Sequence, residues 1–133
     1  MKPLQDKWAL ITGASRGVGK QVAQALAAEG CQLILHSREQ AHTASLADAL
    51  RQQGFRVHQV AAELSDAAAV RGLADAVRAL CGAPDVLYNN AAIMTAYHEN
   101  YLDVVPAEYA LSFQVNTLAP ILLCNAFLPA MLK

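Results

Sequence analysis

An apolar segment that runs directly into a glycine-rich turn constrains this chain more than any other feature. Residues 8–11 (Trp-Ala-Leu-Ile) and Thr12 are followed by Gly13, Gly17 and Gly19, in the spacing Gly-x3-Gly-x-Gly. A helical pattern of apolar residues starts within this turn. A strand, a glycine-rich turn and a helix in this order predict a loop whose backbone binds the phosphates of a dinucleotide beneath the start of the helix.

The three glycines are expected to have different roles. Gly13 permits a tight turn directly after the strand. Gly17 has no side chain, which lets the backbone approach a pyrophosphate, and Gly19 lets the new helix pack closely on the strand. The free amides at the start of the helix, together with the helix dipole, then face the negative charge. A plain structural turn is the alternative, which the surrounding strand-helix-strand pattern disfavours.

Strand and helix patterns alternate along the rest of the chain. We expect strands over residues 7–12, 31–36, 55–61 and 85–88, helices over residues 16–29, 40–53, 65–80 and 106–132, and a loop over residues 89–103. In the first helix, Val18, Val22, Ala25 and Leu26 are predicted to face the core. Pro120 should kink or break the last helix unless a neighbour relieves the strain. The alternation predicts one α/β domain over residues 1–133, with the doubly wound parallel sheet of a Rossmann fold.

Composition argues against several classes of function. A net charge of −1 provides no basic surface for nucleic acid. No apolar run is expected to approach the ~20 residues that span a bilayer, and the start at residues 1–7 is too polar for a signal peptide. No cysteines or histidines have metal-binding spacing. Cys31, Cys81 and Cys124 are expected to be reduced, buried thiols of a cytoplasmic protein.

Four motifs resemble those of the short-chain dehydrogenase/reductase family, and they occur in the family's order across nearly the whole chain. They are residues 12–19 (Thr-Gly-Ala-Ser-Arg-Gly-Val-Gly), residues 64–66 (Leu-Ser-Asp), residues 89–92 (Asn-Asn-Ala-Ala) and Asn116 within Val-Asn-Thr. In the family, the second contacts adenine and the third reads Asn-Asn-Ala-Gly. The resemblance, together with the residues at the end of the second strand, predicts these cofactor-binding residues: Gly13, Ser15, Arg16, Gly17, Val18, Gly19, Ser37, Arg38, Glu63, Leu64, Asn90, Ala91 and Ala92.

Two positions depart from the family pattern. Glu63 stands where the family commonly has Asp, and its longer side chain either accepts a hydrogen bond from the adenine amino group or points away. Ala92 stands where Gly is usual, and its extra methyl is tolerable if its φ is negative. By the same resemblance, Asn90 lines the cofactor path and ties neighbouring strands together, whereas Asn89 has either a structural or a functional role.

The end of the second strand indicates which nicotinamide coenzyme is bound. An acidic residue there would bind the ribose hydroxyls and repel a 2′-phosphate, but Ser37 and then Arg38 occupy this end. Arg16 lies near the same end of the coenzyme, and two guanidinium groups suit a phosphate. NADP(H) is therefore favoured over NAD(H). The alternatives are that both arginines are solvated surface residues, or that Glu39 pairs with one of them or contacts the ribose. His36 is expected to be a strand-end residue rather than a catalyst.

The resemblance implies general acid catalysis at a carbonyl group. In the family, a tyrosine protonates the carbonyl oxygen, a lysine four residues later lowers its pKa, and a serine positions the carbonyl. An asparagine on the long helix holds a water, and Asn116 fits this catalytic role, with a core or helix-bending role as the alternative. None of the four tyrosines is followed four residues later by lysine. We therefore expect the front part of a longer dehydrogenase, incomplete after the long helix and inactive alone.

The most favoured hypothesis is an NADP(H)-dependent oxidoreductase that acts on a small carbonyl or alcohol substrate. Met94, Tyr97, His98 and Tyr101 are candidate substrate contacts, with plain surface positions as the alternative. The protein is expected to be a cytoplasmic homo-oligomer, a dimer or tetramer, with no nucleic-acid or membrane partner. A non-enzymatic coenzyme sensor or scaffold is the second hypothesis, which the missing tyrosine-lysine pair supports. An unrelated nucleotide-binding domain is the third, but it lacks a Gly-Lys-Ser/Thr loop.

Overall fold

A computed structural model describes residues 2–133 and has a four-stranded parallel sheet at its centre. The strands are β1 (Trp8–Ile11), β2 (Gln32–Ser37), β3 (Val57–Ala61) and β4 (Val86–Tyr88). They lie in the order β3-β2-β1-β4, with Leu10 of β1 opposite Ile34 and Leu87. Strands β2 and β3 are therefore added on one side of β1, and β4 is added on the other side. In such sheets, ligands bind in the crevice at the carboxyl ends of the two strands where the order reverses, here β1 and β4. Met1 of the polar start lies outside the described residues.

Helices cover both faces of the sheet, which confirms the predicted doubly wound α/β fold. They are α1 (Gly17–Ala28), α2 (Ala41–Gln52), α3 (Ala67–Cys81), α4 (Pro106–Phe113) and α5 (Ala119–Met131). One core joins alternate strand residues to α1 and α2, and a second core joins the intervening residues to α3 and α5. The predicted strands and helices begin and end within two residues of the observed bounds, because glycines and polar caps mark most of them.

The buried face of α1 differs from the predicted one. Its buried residues are Gly19, Ala23 and Ala27. Of the predicted inward residues, Val18 is 59% exposed and Ala25 is exposed, while the other two are half-buried. A Cβ at Gly19 would lie 2.3 Å from the carbonyl oxygen of Gly13. The helix therefore approaches the turn so closely that small residues, rather than the larger apolar ones, line the contact.

The long helix passes through Pro120 without a break. A π-helical segment, Gln114–Leu118, joins α4 to α5, and the N–H of Ala119 donates to the carbonyl of Gln114 five residues earlier. Proline has no N–H to donate to the carbonyl four residues before it. The wider π turn accommodates this missing bond, so the expected break is replaced by a local change of helix type. A 3-10 turn at Tyr101–Asp103 lies within the segment that was predicted to be a loop.

The expectation that no apolar run approaches membrane-spanning length is wrong for the long helix. Pro106–Met131 has 26 residues and is apolar enough to cross a bilayer by length and composition alone. One side of it is buried, through Val115, Ala119, Leu123 and Phe127, and α5 packs on α3. Length and composition do not separate a membrane span from a helix that packs on a protein core.

The three cysteines are unpaired, as expected, but only Cys31 is buried. Cys81 and Cys124 are partly exposed. Burial raises the pKa of the Cys31 thiol and of the Cys81 thiol, so both remain protonated more readily than a free thiol. The expectation of buried thiols is therefore met at one position of the three.

Candidate functional site

A cleft of about 730 Å³ lies at the carboxyl ends of the strands. All of the predicted cofactor-binding residues line it except Val18 and Gly19. Val18 points away into solvent, and Gly19 is buried behind the turn, where it packs against Gly13 and Asn90. The cleft also includes residues that were not predicted from the sequence: His36, His42, Ile93 and Val115.

Two glycines of the turn have a backbone conformation that other residues rarely adopt. Gly13 has φ +63° and Gly17 has φ +59°. A Cβ at Gly13 would lie 2.8 Å from the Cα of Ala91, so this turn is tight on both conformational and steric grounds. A Cβ at Gly17 would meet nothing within 4 Å. The space beside Gly17 is therefore open to the cleft.

The backbone amides at the start of α1 are not used by the protein. Within residues 2–133, the N–H groups of residues 15–19 have no hydrogen-bond acceptor. Arg16 precedes the helix without a capping hydrogen bond from its side chain, and the N–H of Lys20 makes the first helical bond. Unpaired amides at a helix start form a ready anion site, because they point at the ligand and the dipole favours negative charge.

The end of β1 is joined to the segment after β4 by a small hydrogen-bond network. The Thr12 hydroxyl oxygen accepts from the N–H of Asn90 and from the N–H of Ala91, both at 3.0 Å. The Asn90 side-chain amide donates to the carbonyls of Thr12 at 3.2 Å and of Gly13 at 3.0 Å. Asn90 thus ties two neighbouring strand ends together, as expected. Asn89 is exposed, and its one side-chain hydrogen bond within residues 2–133 runs from Nδ2 to the Cys124 sulfur, at 3.6 Å.

The extra methyl of Ala92 is compatible with its backbone. Among residues 2–133, Asp6 is the only non-glycine residue with positive φ. Ala92 therefore has negative φ, which is the condition under which alanine replaces glycine without backbone strain. Its exposed side chain lines the cleft beside Ile93.

His36 is buried at the floor of the cleft and holds three segments together. Its Nδ1 accepts from the N–H of Gly13 at 3.2 Å, and its Nε2 lies 2.9 Å from the carbonyl oxygen of Ala62. Its own carbonyl accepts from the N–H of Ala14 at 2.9 Å. Burial lowers the pKa of His36, with only partial opposition from the Ala62 hydrogen bond and the Glu63 charge. The residue lies one position before the last residue of β2, close to its expected place at the strand end, and it also supports the glycine turn.

Two cationic side chains, Arg16 and Arg38, line the cleft beside the end of β2. Arg16 and Arg38 are exposed, and neither makes an ion pair with another described residue. The Ser37 hydroxyl donates to the carbonyl of Glu39 at 2.6 Å, which leaves its oxygen able to accept. The Glu39 carboxylate lies 3.7 Å from the Nε2 of His42. The expected alternative in which Glu39 pairs with an arginine is therefore not the observed arrangement.

The turn after β3 presents its backbone to the cleft. The Glu63 carboxylate accepts from the N–H of Ser65 at 3.3 Å, so it folds back onto its own turn. The Leu64 side chain is buried, and its N–H has no acceptor within the described part of the chain. Within the described part of the chain, the N–H of Glu63 also has no acceptor, so both residues predicted here have an unpaired backbone donor.

Asn116 lies on the π-helical segment, and its side chain does not line the cleft. Its Oδ1 accepts from the N–H of Ile93 and its Nδ2 donates to the carbonyl of Ile93, both at 2.8 Å. The Nδ2 also donates to the Ser112 hydroxyl at 3.2 Å. The side chain thus fixes the segment that borders the cleft. Because Asn116 is exposed, the expected alternative of a core role is not observed.

The candidate substrate contacts separate into two groups. Met94, Tyr97 and Tyr101 are largely exposed, at 94%, 90% and 75%. His98 instead pairs with Glu108 of α4, at 2.8 Å between Nε2 and Oε2. His98 therefore attaches the loop to the helix, while the other three present apolar surface to solvent.

Comparisons with known proteins identify a single family. A family model described as short chain dehydrogenase matches residues 7–133. The Xenopus tropicalis protein "Dehydrogenase/reductase SDR family member 7B" is 33% identical over 136 residues, which cover 98% of this chain and 43% of that protein.

Solved structures of the same kind have the same fold. A metagenomic short-chain oxidoreductase in complex with NADP superimposes with a TM-score of 0.90 and 34% identity, over 96% of this chain and 57% of that one. L-Sorbose reductase from Gluconobacter frateurii, complexed with NADPH and L-sorbose, superimposes with a TM-score of 0.88 and 27% identity. The match covers 98% of this chain and 49% of that one. The chain thus spans about half the length of the relatives that it matches.

Proposed function

This chain belongs to the short-chain dehydrogenase family, and from that premise we propose that the full-length protein is an NADP(H)-dependent oxidoreductase. Its substrate is a small carbonyl compound or alcohol. The bound nicotinamide supplies or accepts the hydride, while the residues that line the cleft bind and orient the coenzyme. The observation that carries the proposal is the row of unpaired amides at residues 15–19, which opens into a cleft lined by Arg16 and Arg38.

The residues present fit the pyrophosphate of a dinucleotide. The space beside Gly17 is open, and the amides around it have no protein acceptor within residues 2–133. A phosphate there receives N–H donors and the positive end of the α1 dipole together. The partly buried Asn90 network supports this turn through hydrogen bonds to the carbonyls of Thr12 and Gly13. Gly13 and Gly19 act indirectly, because they let the turn and the helix approach each other.

The charges at the ribose end support the choice of NADP(H). Arg16 and Arg38 have no carboxylate partner among the described residues, so both are available to a 2′-phosphate. Ser37 adds a hydroxyl oxygen between them in the sequence. Arginine suits phosphate because its planar group donates two parallel hydrogen bonds. Glu39 is directed toward His42, which leaves the arginines unneutralised.

The adenine and nicotinamide ends use backbone groups. The unpaired N–H of Leu64 is a donor for the adenine ring, and the Glu63 carboxylate, which accepts from the Ser65 N–H through one oxygen, keeps its other oxygen available to the adenine amino group. At the other end, Ala92 and Ile93 border the nicotinamide path. These assignments place the coenzyme along the carboxyl edge of the sheet, from β3 to β4.

We assign the catalytic contribution of Asn116 to its backbone carbonyl, while its side-chain amide holds the border of the cleft. The amide holds Ile93, and Pro120 cannot donate an α-helical bond to the Asn116 carbonyl. This carbonyl is the group that we assign to the water of the proton relay. The tyrosine and lysine of the family pattern are not among the 133 residues, and we assign them to a further part of the full-length protein.

Location and assembly follow from the surface. Three unpaired thiols support a reducing compartment, the cytoplasm. Phe113, Ile121 and Leu128 are 59%, 46% and 41% exposed on the long helix, and β4 is an edge of the sheet. Apolar surface and an open edge favour burial against further protein, so we propose that the full-length protein is a homo-oligomer.

The direct test is an assay of the full-length protein with NADPH and a panel of ketones, aldehydes and sugars. Loss of NADPH absorbance that depends on one of these substrates is expected. The same assay with NADH should be slower, because Arg16 and Arg38 gain nothing from a free ribose hydroxyl. Binding of NADPH without turnover of any carbonyl or alcohol would favour the sensor hypothesis over the enzyme.

A further inference from the structure

We propose that His36 is a positioning residue, whose neutral ring holds the phosphate-binding turn against the end of β3 and so sets the affinity for the coenzyme pyrophosphate. The inference rests on the proposed coenzyme site but concerns a residue that does not itself bind the phosphates. His36 is 1% exposed and lies beneath the cleft. Nothing in the proposed hydride transfer uses it.

The hydrogen bonds of His36 permit only one protonation state. The N–H of Gly13 is a donor, so the Nδ1 that faces it at 3.2 Å must be an unprotonated acceptor. The carbonyl of Ala62 is an acceptor, so the Nε2 at 2.9 Å must carry the proton. The ring is therefore the neutral Nε2–H tautomer. A second proton on Nδ1 would place two N–H groups against each other and release the Gly13 turn.

The two partners belong to different turns that border the cleft. Gly13 begins the phosphate-binding turn, and Ala62 directly precedes Glu63 and Leu64 of the adenine turn. The carbonyl of His36 also accepts from Ala14, so both its backbone and its side chain hold the turn. The buried ring therefore links the phosphate-binding turn directly to the start of the adenine turn, in addition to the backbone hydrogen bonds that Ala14 donates to His36 and Ala62 donates to Ser37.

The charges around His36 have opposing effects on its second proton. Glu63 at the end of β3 favours the proton. Arg16 from the turn, Arg38 after the end of β2 and His42 of α2 line the same cleft, and the two guanidinium charges disfavour a further positive charge there. Burial also opposes the charged ring and lowers the pKa of His36. The turn is thus held in its binding conformation at neutral pH and loosens on acidification.

Two substitutions separate the positioning role from a structural one. His36→Gln supplies a carbonyl acceptor and an amide donor with a spacing similar to that of the ring nitrogens, but it does not titrate. His36→Leu removes both hydrogen bonds and leaves Gly13 and Ala62 unpaired. His58→Gln is the matched control, because His58 is a partly buried histidine of the same sheet that stacks on Trp8 and does not line the cleft.

The experiment is calorimetric titration of the full-length protein with NADP⁺ and with NAD⁺, between about pH 8 and about pH 5. A phosphate monoester also titrates near about pH 6, so NAD⁺, which lacks the 2′-phosphate, isolates the effect of the turn. At the higher pH, we expect His36→Leu to weaken both coenzymes by about tenfold with their ratio unchanged. His36→Gln and His58→Gln should bind within about threefold of wild type.

The pH profile provides the second readout. Affinity of the wild-type protein for NAD⁺ should fall toward the acidic end, the His58→Gln profile should follow it, and the His36→Gln profile should be flat. If His36→Leu does not fold, the pH profiles of NAD⁺ affinity of the wild-type protein and of His36→Gln are sufficient to test the inference. Parallel profiles for these two proteins, or undiminished binding by a folded His36→Leu protein, would overturn the inference and leave the proposed function intact. Failure of the wild-type protein to bind either coenzyme would instead reject the proposed function.

Discussion

The side chain of Asn116 pairs with both backbone polar groups of Ile93, with each hydrogen bond at 2.8 Å. This contact joins the π-helical segment of the long helix to the segment that leaves β4. Ile93 lines the cleft, whereas the Asn116 side chain does not. The asparagine thus acts on the site through the backbone that it holds.

Asn116→Ala should loosen the cleft border without unfolding the protein. Two hydrogen bonds to a partly exposed segment are lost, so we expect a loss of about 1 kcal/mol in the free energy of unfolding. Hydrogen exchange at the Ile93 amide should become faster. Asn125→Ala is the control, because Asn125 is exposed on α5 and has no side-chain hydrogen bond to another described residue. Unchanged exchange at Ile93 in the Asn116 variant would contradict this role of the asparagine.

Alanine at three glycines should have three different effects. Gly13→Ala should destabilise the fold most, because it combines φ +63° with a Cβ 2.8 Å from the Ala91 backbone. Gly17→Ala should lower the free energy of unfolding by only about 1–2 kcal/mol, because it has the positive φ without a steric clash. Its methyl group enters the space proposed for the phosphates and should weaken coenzyme binding. Gly72→Ala, in the open interior of α3, should stabilise by up to about 1 kcal/mol. Urea unfolding and coenzyme titration measure these two quantities.

Removal of either ribose-end arginine should change coenzyme preference rather than stability. In Arg16→Ala and Arg38→Ala, NADPH affinity should fall by about tenfold or more, because each variant loses charged hydrogen bonds to the 2′-phosphate. NADH affinity should change little. Arg71→Ala, on the exposed side of α3 and away from the cleft, is the matched control. If the Arg38 variant loses the same factor in affinity for NADPH and for NADH, Arg38 does not bind the 2′-phosphate.

Acid should destabilise the fold through His36. Burial lowers the pKa of His36 from its ordinary value of 6.5. As pH falls below this value, the histidine becomes protonated in the unfolded chain while it remains neutral in the folded chain. Unfolding therefore becomes more favourable. The stabilisation is complete above pH 6.5 and is lost progressively below it. His58, whose pKa is also lowered by burial, contributes in the same direction.

Urea unfolding across this pH range provides the measurement. His36→Gln should reduce the slope of unfolding free energy against pH, and His58→Gln should reduce it separately. A wild-type protein that gains stability on acidification from neutral pH would have a slope of the opposite sign to the expected one. If the slope of unfolding free energy against pH is unchanged in both variants, the two histidines do not cause it.

The fold was predictable because its signals are local. Gly30 and Gly54 mark the ends of the first two helices, and the Asp66 carboxylate caps α3 by accepting from the Ala68 N–H at 2.9 Å. Alternation of strand and helix then determines a parallel sheet with few possible topologies. The predicted inward face of α1 was wrong because this helix lies so close to the Gly13 turn that only small residues fit between them. The periodicity of apolar residues gives no information about such a close approach.

The candidate site was predictable where a backbone conformation requires a residue type. Gly13 and Gly17 follow from the turn itself. The role of His36 depends on Gly13 and Ala62, which lie 23 and 26 residues away in the chain. The side chain of Asn116 meets Ile93 only once the long helix has packed against the sheet. Such contacts between distant residues leave no periodic or spacing signal in a single sequence.

The central claim is that the free amides of residues 15–19 bind the coenzyme phosphates, and amide NMR of the isotopically labelled full-length protein tests it most directly. On addition of NADP⁺, we expect the amide resonances of these residues to shift together, and the same shifts to appear with NAD⁺ because both coenzymes share the pyrophosphate. The N–H of Gly13, which donates to His36, should shift less. Coenzyme binding that leaves all of these amide resonances unchanged would contradict the claim.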